Sequence, residues 1–206
     1  MQLIHGIMIG PLAETGCDEF FLYLNDHRSD NGKGENGYFM PRSQSESRFP
    51  ADKEKSFRDG LNVPVGSPGW RRAWVARASN RQIVGHIDLW SHPVSFAEHR
   101  CLLGMGVDRN HRRLGLGASL LSHATEWALA NTGLEWLDLH VLSTNEPAIR
   151  LYLRAGFTKV GEVAEMFKFD GRLLSDTTMT KRLCEDQRGD SYLPPRWASA
   201  TGGCSS

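Results

Sequence analysis

Two arginines and two glycines stand close together in VDRNHRRLGLGASLL, residues 107–121, where a predicted strand leads into a predicted helix. Arg112 and Arg113 offer charged hydrogen-bond donors, and Gly115 and Gly117 allow a large anion to approach the backbone. The first N–H groups of a helix have no partner within that helix, and the helix dipole adds partial positive charge at the same end. These residue types at this spacing predict a binding site for a phosphate or pyrophosphate group.

Two common phosphate-binding motifs do not fit this stretch. The P-loop requires Gly-Lys followed by Ser or Thr, whereas Gly117 is followed by Ala118 and Ser119. The dinucleotide-binding motif requires a third glycine at the position that Leu120 occupies. Both motifs also belong to folds with parallel βαβ order from the N-terminus, which this sequence lacks. A nucleotide-binding protein is therefore the weaker interpretation, and competition by ATP or NAD at this site would be needed to support it.

The elements that position this stretch follow from hydrophobic periodicity and turn residues. Strands are predicted over residues 2–9, 70–78, 81–91, 99–107, 134–142, 158–169 and 175–183. Helices are predicted over residues 17–27 and 51–62, from Leu116 to a stop at residues 131–133, and from Asn145 to a stop at Gly156. This order predicts an α/β (α+β) fold with one mainly antiparallel sheet flanked by helices.

Two segments fall outside this regular pattern. Residues 28–55 are polar and rich in glycine, which predicts a long surface loop, and the aromatic pair Tyr38 and Phe39 within it indicates substrate contact. Residues 184–206 show no periodicity and are expected to form a flexible tail. We therefore expect a single domain over residues 1–183.

Three motifs, in order along the chain, resemble the GNAT N-acetyltransferase superfamily. Residues 112–117 fit the pattern R-x-x-G-x-G after a strand. LHVLSTNEPAIRLYLRAGF, residues 139–157, is similar to the family's later motif, in which an Asn opens a helix that contains Leu-Tyr and ends in Gly-Phe. FDGRLLSDTTMTKRL, residues 169–183, resembles its last hairpin. The resemblance covers residues 72–183 and implies a central, mostly antiparallel mixed sheet of about seven strands.

The resemblance also implies roles for individual residues. The pyrophosphate of CoA would be held by the backbone N–H groups of Arg112, Arg113, Leu114, Gly115, Leu116 and Gly117. Met105 and Val107 would offer main-chain hydrogen bonds to the pantetheine arm where their strand splays from its neighbour, and Asn145 would contact the same arm. Tyr152 would lie near the thioester sulfur and donate a proton to the departing thiolate.

The attacking amine must lose a proton, and His140 is the first candidate for the base. It lies on the strand face opposite Leu139 and Val141, where some family members carry a Glu, and imidazole changes protonation state near neutral pH. Asp88 and His86 on the preceding hairpin are weaker candidates.

Several of these residues also have a purely structural interpretation. Tyr152 lies on the apolar face of its helix and fits a core tyrosine. Asn145 fits a helix N-cap, and Gly115 and Gly117 fit a tight turn. His140 fits an ordinary histidine on a sheet face.

The composition of the chain limits which classes of partner and which cellular compartment are expected. Lys and Arg together number 24 and so do Asp and Glu, so the formal net charge is zero and a general nucleic-acid binder is disfavoured. The four cysteines show no paired spacing, which is typical of free thiols in a reducing compartment. No run is long and apolar enough to span a membrane, and no signal peptide is recognised. His92 and His99 lack the companions that a metal site requires.

These observations together predict a cytoplasmic N-acetyltransferase that uses acetyl-CoA and no metal. The acceptor is expected to be a primary amine of a small molecule or peptide, with no nucleic-acid or membrane partner. A protein lysine or N-terminal amine as acceptor, and an acyl-CoA-binding sensor without turnover, are the alternatives. The oligomeric state stays open between a monomer and a homodimer.

Overall fold

An eight-stranded sheet forms the centre of the fold. The computed structural model describes residues 2–4, 6–33, 37–46, 48–130 and 133–183. The strands are β1 (Gln2–Ile4), β2 (Ile7–Pro11), β3 (Arg71–Arg77), β4 (Ile83–Ser91), β5 (Arg100–Val107), β6 (Trp136–Leu142), β7 (Thr158–Phe169) and β8 (Arg172–Arg182). The helices are α1 (Cys17–Arg28), α2 (Ala51–Asn62), α3 (Leu116–Ala130) and α4 (Glu146–Arg154).

The strands lie side by side in the order β1-β2-β3-β4-β5-β6-β8-β7. Neighbouring strands are antiparallel except for β5 and β6, which are parallel. The predicted α/β (α+β) class, with a mostly antiparallel mixed sheet between helices, is confirmed.

The N-terminal strand differs from its prediction. The sequence predicts one strand over residues 2–9, whereas the chain reverses at Gly6 and forms a hairpin in which Ile4 pairs with Ile7. Gly6 has a φ of 78°, a left-handed conformation that glycine adopts without steric cost. The hairpin adds one strand, so the sheet has eight strands where about seven were expected.

Each strand presents alternate side chains to the two faces of the sheet. On one face, α3 and α4 cover a buried cluster that includes Leu103, Leu120 and Leu139. On the other face, α1 and α2 cover a second cluster that includes Phe20 and Phe57. We call these the α3/α4 face and the α1/α2 face. The even-numbered side chains of β5 and β6 therefore point to the α1/α2 face.

The predicted loop over residues 28–55 is shorter in the structure, because α2 already begins at Ala51. The predicted helix over residues 51–62 is confirmed as α2. Tyr38 ties the loop to the turn between β7 and β8, since its hydroxyl donates a hydrogen bond to Asp170 Oδ2 at 2.8 Å. The backbone N–H of Gln44 donates to the same carboxylate oxygen at 3.1 Å. The loop and the last hairpin thus form one continuous surface.

A buried asparagine organises the middle of this loop. Asn31 is fully buried, and its Oδ1 accepts hydrogen bonds from the backbone N–H groups of Phe39 (2.9 Å) and Met40 (3.1 Å). Its Nδ2 donates to the carbonyl oxygens of Arg42 (2.9 Å) and Met40 (3.3 Å). Residues 39–42 are therefore held in one conformation by a single side chain, although the sequence predicts only a polar surface loop.

Some predictions fall outside the described residues. These are the tail at residues 184–206 and the first two residues of the stop after α3, residues 131 and 132. Cys17 and Cys101 are buried free thiols, whereas Cys184 and Cys204 lie beyond the described chain. Within the described ranges, no helix combines the length and the apolar character that crossing a membrane requires.

Candidate active site

The parallel strands β5 and β6 separate after a short paired stretch. Among the described residues, residues 100–102 of β5 are the ones that pair with β6, opposite residues 136–138. β5 continues to Val107 and β6 to Leu142. The sheet therefore opens between the second halves of these strands, and we call this opening the β5–β6 gap.

The backbone of Met105 and Val107 faces the β5–β6 gap. The C=O of His99 accepts a hydrogen bond from the N–H of Trp136 at the start of β6 (3.2 Å), whereas the N–H of Asp108 donates to β4 on the other side. Backbone groups alternate sides along a strand. The odd-numbered residues of β5, among them Met105 and Val107, therefore direct their N–H and C=O groups towards β6.

The turn from β5 into α3 lies beside the gap. Gly115 has a φ of 81°, and α3 begins at the next residue. A Cβ added to Gly117 would lie 3.2 Å from Leu151 Cδ2 and 3.5 Å from Met105 Cε. The first turn of α3 thus packs closely against β5 and α4, and the N–H groups that a helix leaves unpaired at its start lie next to the gap.

The side chains of this turn point in different directions. Arg112 Nε donates to the carbonyl oxygen of Val107 at 3.1 Å, and Arg112 Nη2 lies 3.8 Å from Asp30 Oδ2. The Arg112 guanidinium is therefore directed towards the end of α1. Arg113 has a φ of 63°, and Leu114 is exposed. The predicted residues form one turn, in which the backbone, rather than the Arg112 side chain, is available to a phosphate group.

Helix α4 carries the two predicted residues of the second motif. Asn145 precedes the helix, and its Oδ1 accepts a hydrogen bond from the N–H of Ala148 at 3.4 Å, so it is an N-cap. Tyr152 is buried against Phe157. Burial raises the pKa of Tyr152 to about 12. Its hydroxyl makes no hydrogen bond to any residue that the structure describes, so its proton is not committed to the core.

His140 is held by a carboxylate on the neighbouring strand. Its Nδ1 lies 2.8 Å from Oδ2 of Asp176 on β8 and 3.4 Å from Oγ1 of Thr178. The His140 side chain is 57% exposed, whereas that of Asp176 is 11% exposed. In a neutral imidazole, a carboxylate that accepts a hydrogen bond from Nδ1–H selects the tautomer with a lone pair on Nε2 and fixes the orientation of the ring. This pair can accept a proton at Nε2.

Three residues lie in one row across the α1/α2 face. Asp88 on β4 pairs in register with Gly104 on β5. On the other side of β5, Leu102 is opposite Asp138 of the parallel strand β6. The next residues on the same face of these two strands are Gly104 and His140, which therefore lie opposite each other across the gap. Gly104 leaves room there for the ring of Trp90, since a Cβ at residue 104 would lie 3.1 Å from Trp90 Cζ3 and 3.3 Å from Asp88 Oδ1.

A cavity of about 610 Å³ lies on the α1/α2 face over β4 and β5. Its walls come from α1, the loop around Phe39, α2 and the strands, and Asp88, His86 and Gly104 lie among them. Asp88 forms an ion pair with Arg71, and burial raises the pKa of Asp88 in spite of that positive charge. Of the predicted aromatic pair, Phe39 lines the cavity, whereas Tyr38 binds the last hairpin. His140 stands outside the cavity wall.

Two buried histidines lie under Gly106. His86 Nδ1 lies 3.2 Å from the hydroxyl of Tyr23, whose pKa is raised by burial. Burial, followed by the charge of Arg112, lowers the pKa of His27 to about 4. Burial also lowers the pKa of His86 well below its usual value. Both imidazoles are therefore neutral near neutral pH.

Replacing Gly106 with alanine should destabilise the protein. The new Cβ would lie 2.5 Å from His27 Nε2 and 2.6 Å from His86 Cε1, and both rings are buried. We expect the free energy of unfolding in urea to fall by about 1–3 kcal/mol. Gly161→Ala is the matched control, because no atom lies within 4 Å of a Cβ at that position. Equal stability of the two variants would contradict this close packing of His27 and His86 against Gly106.

The free energy of unfolding should depend on pH through His27. An unfolded histidine titrates near pH ~6.5, whereas folded His27 has a pKa of about 4. Between these values the unfolded state binds a proton that the folded state does not. The contribution of neutral His27 to the free energy of unfolding is therefore fully present above the unfolded pKa. It is lost as pH falls, by up to about 1.4 kcal/mol per pH unit.

Comparison with His27→Gln separates this effect from the titration of Asp88, which is present in both proteins. The wild-type free energy of unfolding minus that of the variant should decline from pH 6.5 towards pH 4 and stay level above pH ~7.5. A difference that is independent of pH throughout would show that His27 is not held neutral by the fold.

Several residues of this site were not predicted from the sequence. Arg28 and Arg42 line the cavity, and Asn31 positions its loop wall. They lie in the segment that the sequence shows as a polar loop, where side chains are expected to contact solvent. The one sequence signal that pointed to this wall was Phe39.

No metal site forms within the described ranges. No three His, Cys, Asp or Glu side chains come together there in an arrangement that could hold a metal ion.

The sequence is similar to those of known acetyltransferases. A model of the acetyltransferase (GNAT) family matches residues 39–157. The catalytic subunit NAA10 of the N-terminal acetyltransferase A complex from Arabidopsis thaliana is 30% identical over 98 residues, which cover 48% of this chain and 51% of that protein. The spermidine N(1)-acetyltransferase of Vibrio cholerae is 23% identical over 101 residues, which cover 49% of this chain and 57% of that protein. The chain thus spans about half the length of these curated relatives.

Solved structures match along most of both chains. An acetyltransferase of the GNAT family from Streptococcus pneumoniae has a TM-score of 0.70 at 20% identity, covering 85% of this chain and 98% of that chain. The yncA structure from Salmonella typhimurium, solved with its cofactor acetyl-CoA, has a TM-score of 0.70 at 18% identity, covering 90% of this chain and 99% of that chain. At these identities the likeness concerns the fold.

Proposed function

The chain belongs to the GNAT acetyltransferase family, and we propose that it is an N-acetyltransferase that moves an acetyl group from acetyl-CoA to a primary amine of a small molecule or peptide. The observation that carries this proposal is the arrangement around β5. A gap in the sheet, the N-terminus of α3 and a cavity with charged and aromatic walls all meet at this one strand, so a thioester and an amine can approach each other there in a ternary complex.

Acetyl-CoA fits the β5–β6 gap. In our proposal the backbone N–H groups of residues 112–117 hold its pyrophosphate. The gap-facing backbone of Met105 and Val107, together with Asn145, holds the pantetheine arm. A side chain at Gly117 would fill the space where the first turn of α3 meets β5 and α4. When bound, acetyl-CoA supplies an activated acetyl group and a thiolate leaving group.

Tyr152 is proposed as the general acid. Its raised pKa keeps the phenol protonated at neutral pH, and no described residue accepts its hydrogen bond. The hydroxyl can therefore donate its proton to the departing sulfur. A positioned acid of this kind contributes about 10²- to 10⁴-fold to a rate.

His140 is proposed as the general base. Asp176 orients the ring through Nδ1, and Nε2 accepts the proton of the attacking amine directly or through water. Asp88 is the weaker candidate because it is paired with Arg71. His86 is weaker because its Nδ1 contacts Tyr23 and burial opposes its protonation.

The two alternatives differ from the proposal in their measurable outcomes. A sensor module would bind acetyl-CoA without transferring the acetyl group. A protein lysine or N-terminal acetyltransferase would act on polypeptide amines, as the name of the Arabidopsis relative indicates for that protein. We assign the acceptor to the cavity on the α1/α2 face and call it the acceptor cavity. Its walls include loop residues 39–42 and α2, which favours a small molecule or a peptide end over a folded protein surface.

The test combines binding and turnover on the full chain. Isothermal titration should give a micromolar dissociation constant for acetyl-CoA, and a free-thiol assay should detect CoA release when an accepted amine is added. Binding without thiol release, across small amines and peptides alike, would establish the sensor alternative. Absence of binding to acetyl-CoA and to longer acyl-CoA would overturn the proposal.

The proposal also covers the domain, the cellular compartment and the partners of the protein. We place the activity in one domain, residues 1–183, in the cytoplasm, with no metal and with neither nucleic acid nor membrane as a partner. Sedimentation would decide between a monomer and a homodimer.

A further inference from the structure

The acceptor cavity carries an excess of positive charge. Among the described residues, its walls contain four cations, Arg28, Arg42, Lys53 and Arg71, and one carboxylate, that of Asp88. Arg71 and Asp88 form an ion pair with each other. In the part of the chain that the structure describes, none of the other three cations forms a salt bridge. Three positive charges around the cavity are therefore left without a neutralising partner.

Arg28 has a buried donor with no acceptor. The residue ends α1, and its guanidinium carbon lies 4.9 Å from the centre of the Phe49 ring. Its Nη1 is buried and has no hydrogen-bond partner among the described residues. Burial, and then the charge of Arg42, lower the pKa of Arg28 to about 10. A buried N–H group without an acceptor is rare in folded proteins and calls for an explanation.

Arg42 is placed at the same cavity by the fold. The carbonyl oxygen of Arg42 accepts a hydrogen bond from Nδ2 of the fully buried Asn31 at 2.9 Å. This contact holds the backbone of residue 42 at the cavity wall. Two guanidinium groups that repel each other are thus brought to one cavity, an arrangement that a bound anion stabilises.

We propose that the acceptor is a small primary amine that also carries an anionic group, a carboxylate or a phosphonate, and that Arg28 and Arg42 bind this group. The inference rests on the proposed function, because it names the acceptor class for the same site. Paired guanidinium groups match the planar oxygens of a carboxylate and the oxygens of a phosphonate.

The anion site and the reacting end lie within reach of one small molecule. Arg28 and Asp88 line the same cavity, and Asp88 pairs in register with Gly104 beside the β5–β6 gap. An acceptor with its anion at Arg28 and Arg42 can therefore place its amine near Gly104. The cavity also has aromatic walls, including Phe39 and Phe57, which suit an apolar body between the two ends.

The same charges disfavour a polyamine. The Vibrio cholerae relative is named as a spermidine acetyltransferase, and spermidine is a polycation near neutral pH. A polycation in this cavity would face three unpaired cations and a carboxylate already paired with Arg71. The acceptor of this chain should therefore differ in charge from that of the relative.

The experiment measures a panel of matched amines on the full chain loaded with CoA. Each natural amino acid is compared with the amine left after removal of its carboxylate, and aminophosphonates form a third arm. Spermidine is included. Binding is measured by isothermal titration, and transfer is measured separately by thiol release from acetyl-CoA. We expect at least one member with an anionic group to bind about 10- to 100-fold more tightly than the matched amine without that group.

Arg42→Gln should abolish this preference. Its KM for the anionic acceptor should rise about 10- to 100-fold, with the KM for acetyl-CoA unchanged. Arg48→Gln is the matched control, because Arg48 belongs to the same loop, is exposed and does not line this cavity. The carboxylate and phosphonate arms identify which anion is preferred.

Each result has a separate meaning for the two claims. The anion proposal is overturned if no member with an anionic group binds better than the matched amine without that group, or if Arg42→Gln and Arg48→Gln behave alike, whatever the rate of transfer. If anionic amines bind with the expected preference but no thiol is released from any acceptor, the anion site stands and the proposed transferase function fails. Preferred acetylation of spermidine would also overturn the anion proposal.

Discussion

Tyr152→Phe should lower kcat by about 10²- to 10⁴-fold and leave the dissociation constant of acetyl-CoA unchanged. The substitution removes one oxygen, the atom that we propose donates a proton to the leaving sulfur. Phenylalanine keeps the ring that packs against Phe157. Steady-state kinetics by thiol release, together with isothermal titration of acetyl-CoA, measure the two quantities separately.

The stability of this variant provides the control. Because no described residue accepts a hydrogen bond from the Tyr152 hydroxyl, the free energy of unfolding should change by less than about 0.5 kcal/mol. An unchanged kcat would show that Tyr152 is a core tyrosine and does not act as the general acid. The pKa of about 12 adds a further expectation: any loss of wild-type activity between pH 8 and pH ~10 should persist in the variant, because Tyr152 remains protonated there.

Gly117→Val should abolish detectable binding of acetyl-CoA. A Cβ at this position already lies 3.2 Å from Leu151 Cδ2 and 3.5 Å from Met105 Cε, and the valine branches extend further. The first turn of α3 must shift away from β5, which displaces the N–H groups proposed to hold the pyrophosphate. Isothermal titration against the wild type measures the loss.

Two further variants separate binding from folding. Gly161→Val adds the same side chain on β7, where a Cβ meets no atom within 4 Å, and it should bind acetyl-CoA normally. Gly117→Ala adds the Cβ alone, against flexible side-chain ends, and should fold and bind more weakly than the wild type. Wild-type affinity in both Gly117 variants, with thermal unfolding unchanged, would show that this turn does not hold the co-substrate.

The order of elements and the local shape of the candidate site could be predicted from the sequence because they depend on near neighbours along the chain. Asn145 predicted the start of α4 because its side chain caps the next turn. The N-terminal hairpin was missed because residues 2–9 are apolar enough to continue through Gly6, and only the pairing of Ile4 with Ile7 reveals the reversal.

The candidate base His140 was predicted from β6 alone, whereas the residue that orients its ring lies on another strand. The alternation along β6 predicted that His140 lies on the face opposite Leu139 and Val141, but its partner Asp176 lies 36 residues further along the chain on β8. Sheet order, which depends on long-range packing, brings the two strands together. For the same reason the sequence did not show that Asp88 would be paired with Arg71.

The sequence by itself determined the family, the class of fold and the turn at residues 112–117, because helix starts, strand alternation and positive-φ glycines are encoded locally. Only the tertiary structure decided the cavity that we propose for the acceptor. The net charge of the whole chain is zero, yet the fold gathers Arg28, Arg42 and Lys53 around one cavity. Composition shows how many charges a chain has, whereas which of them find partners depends on how distant segments pack.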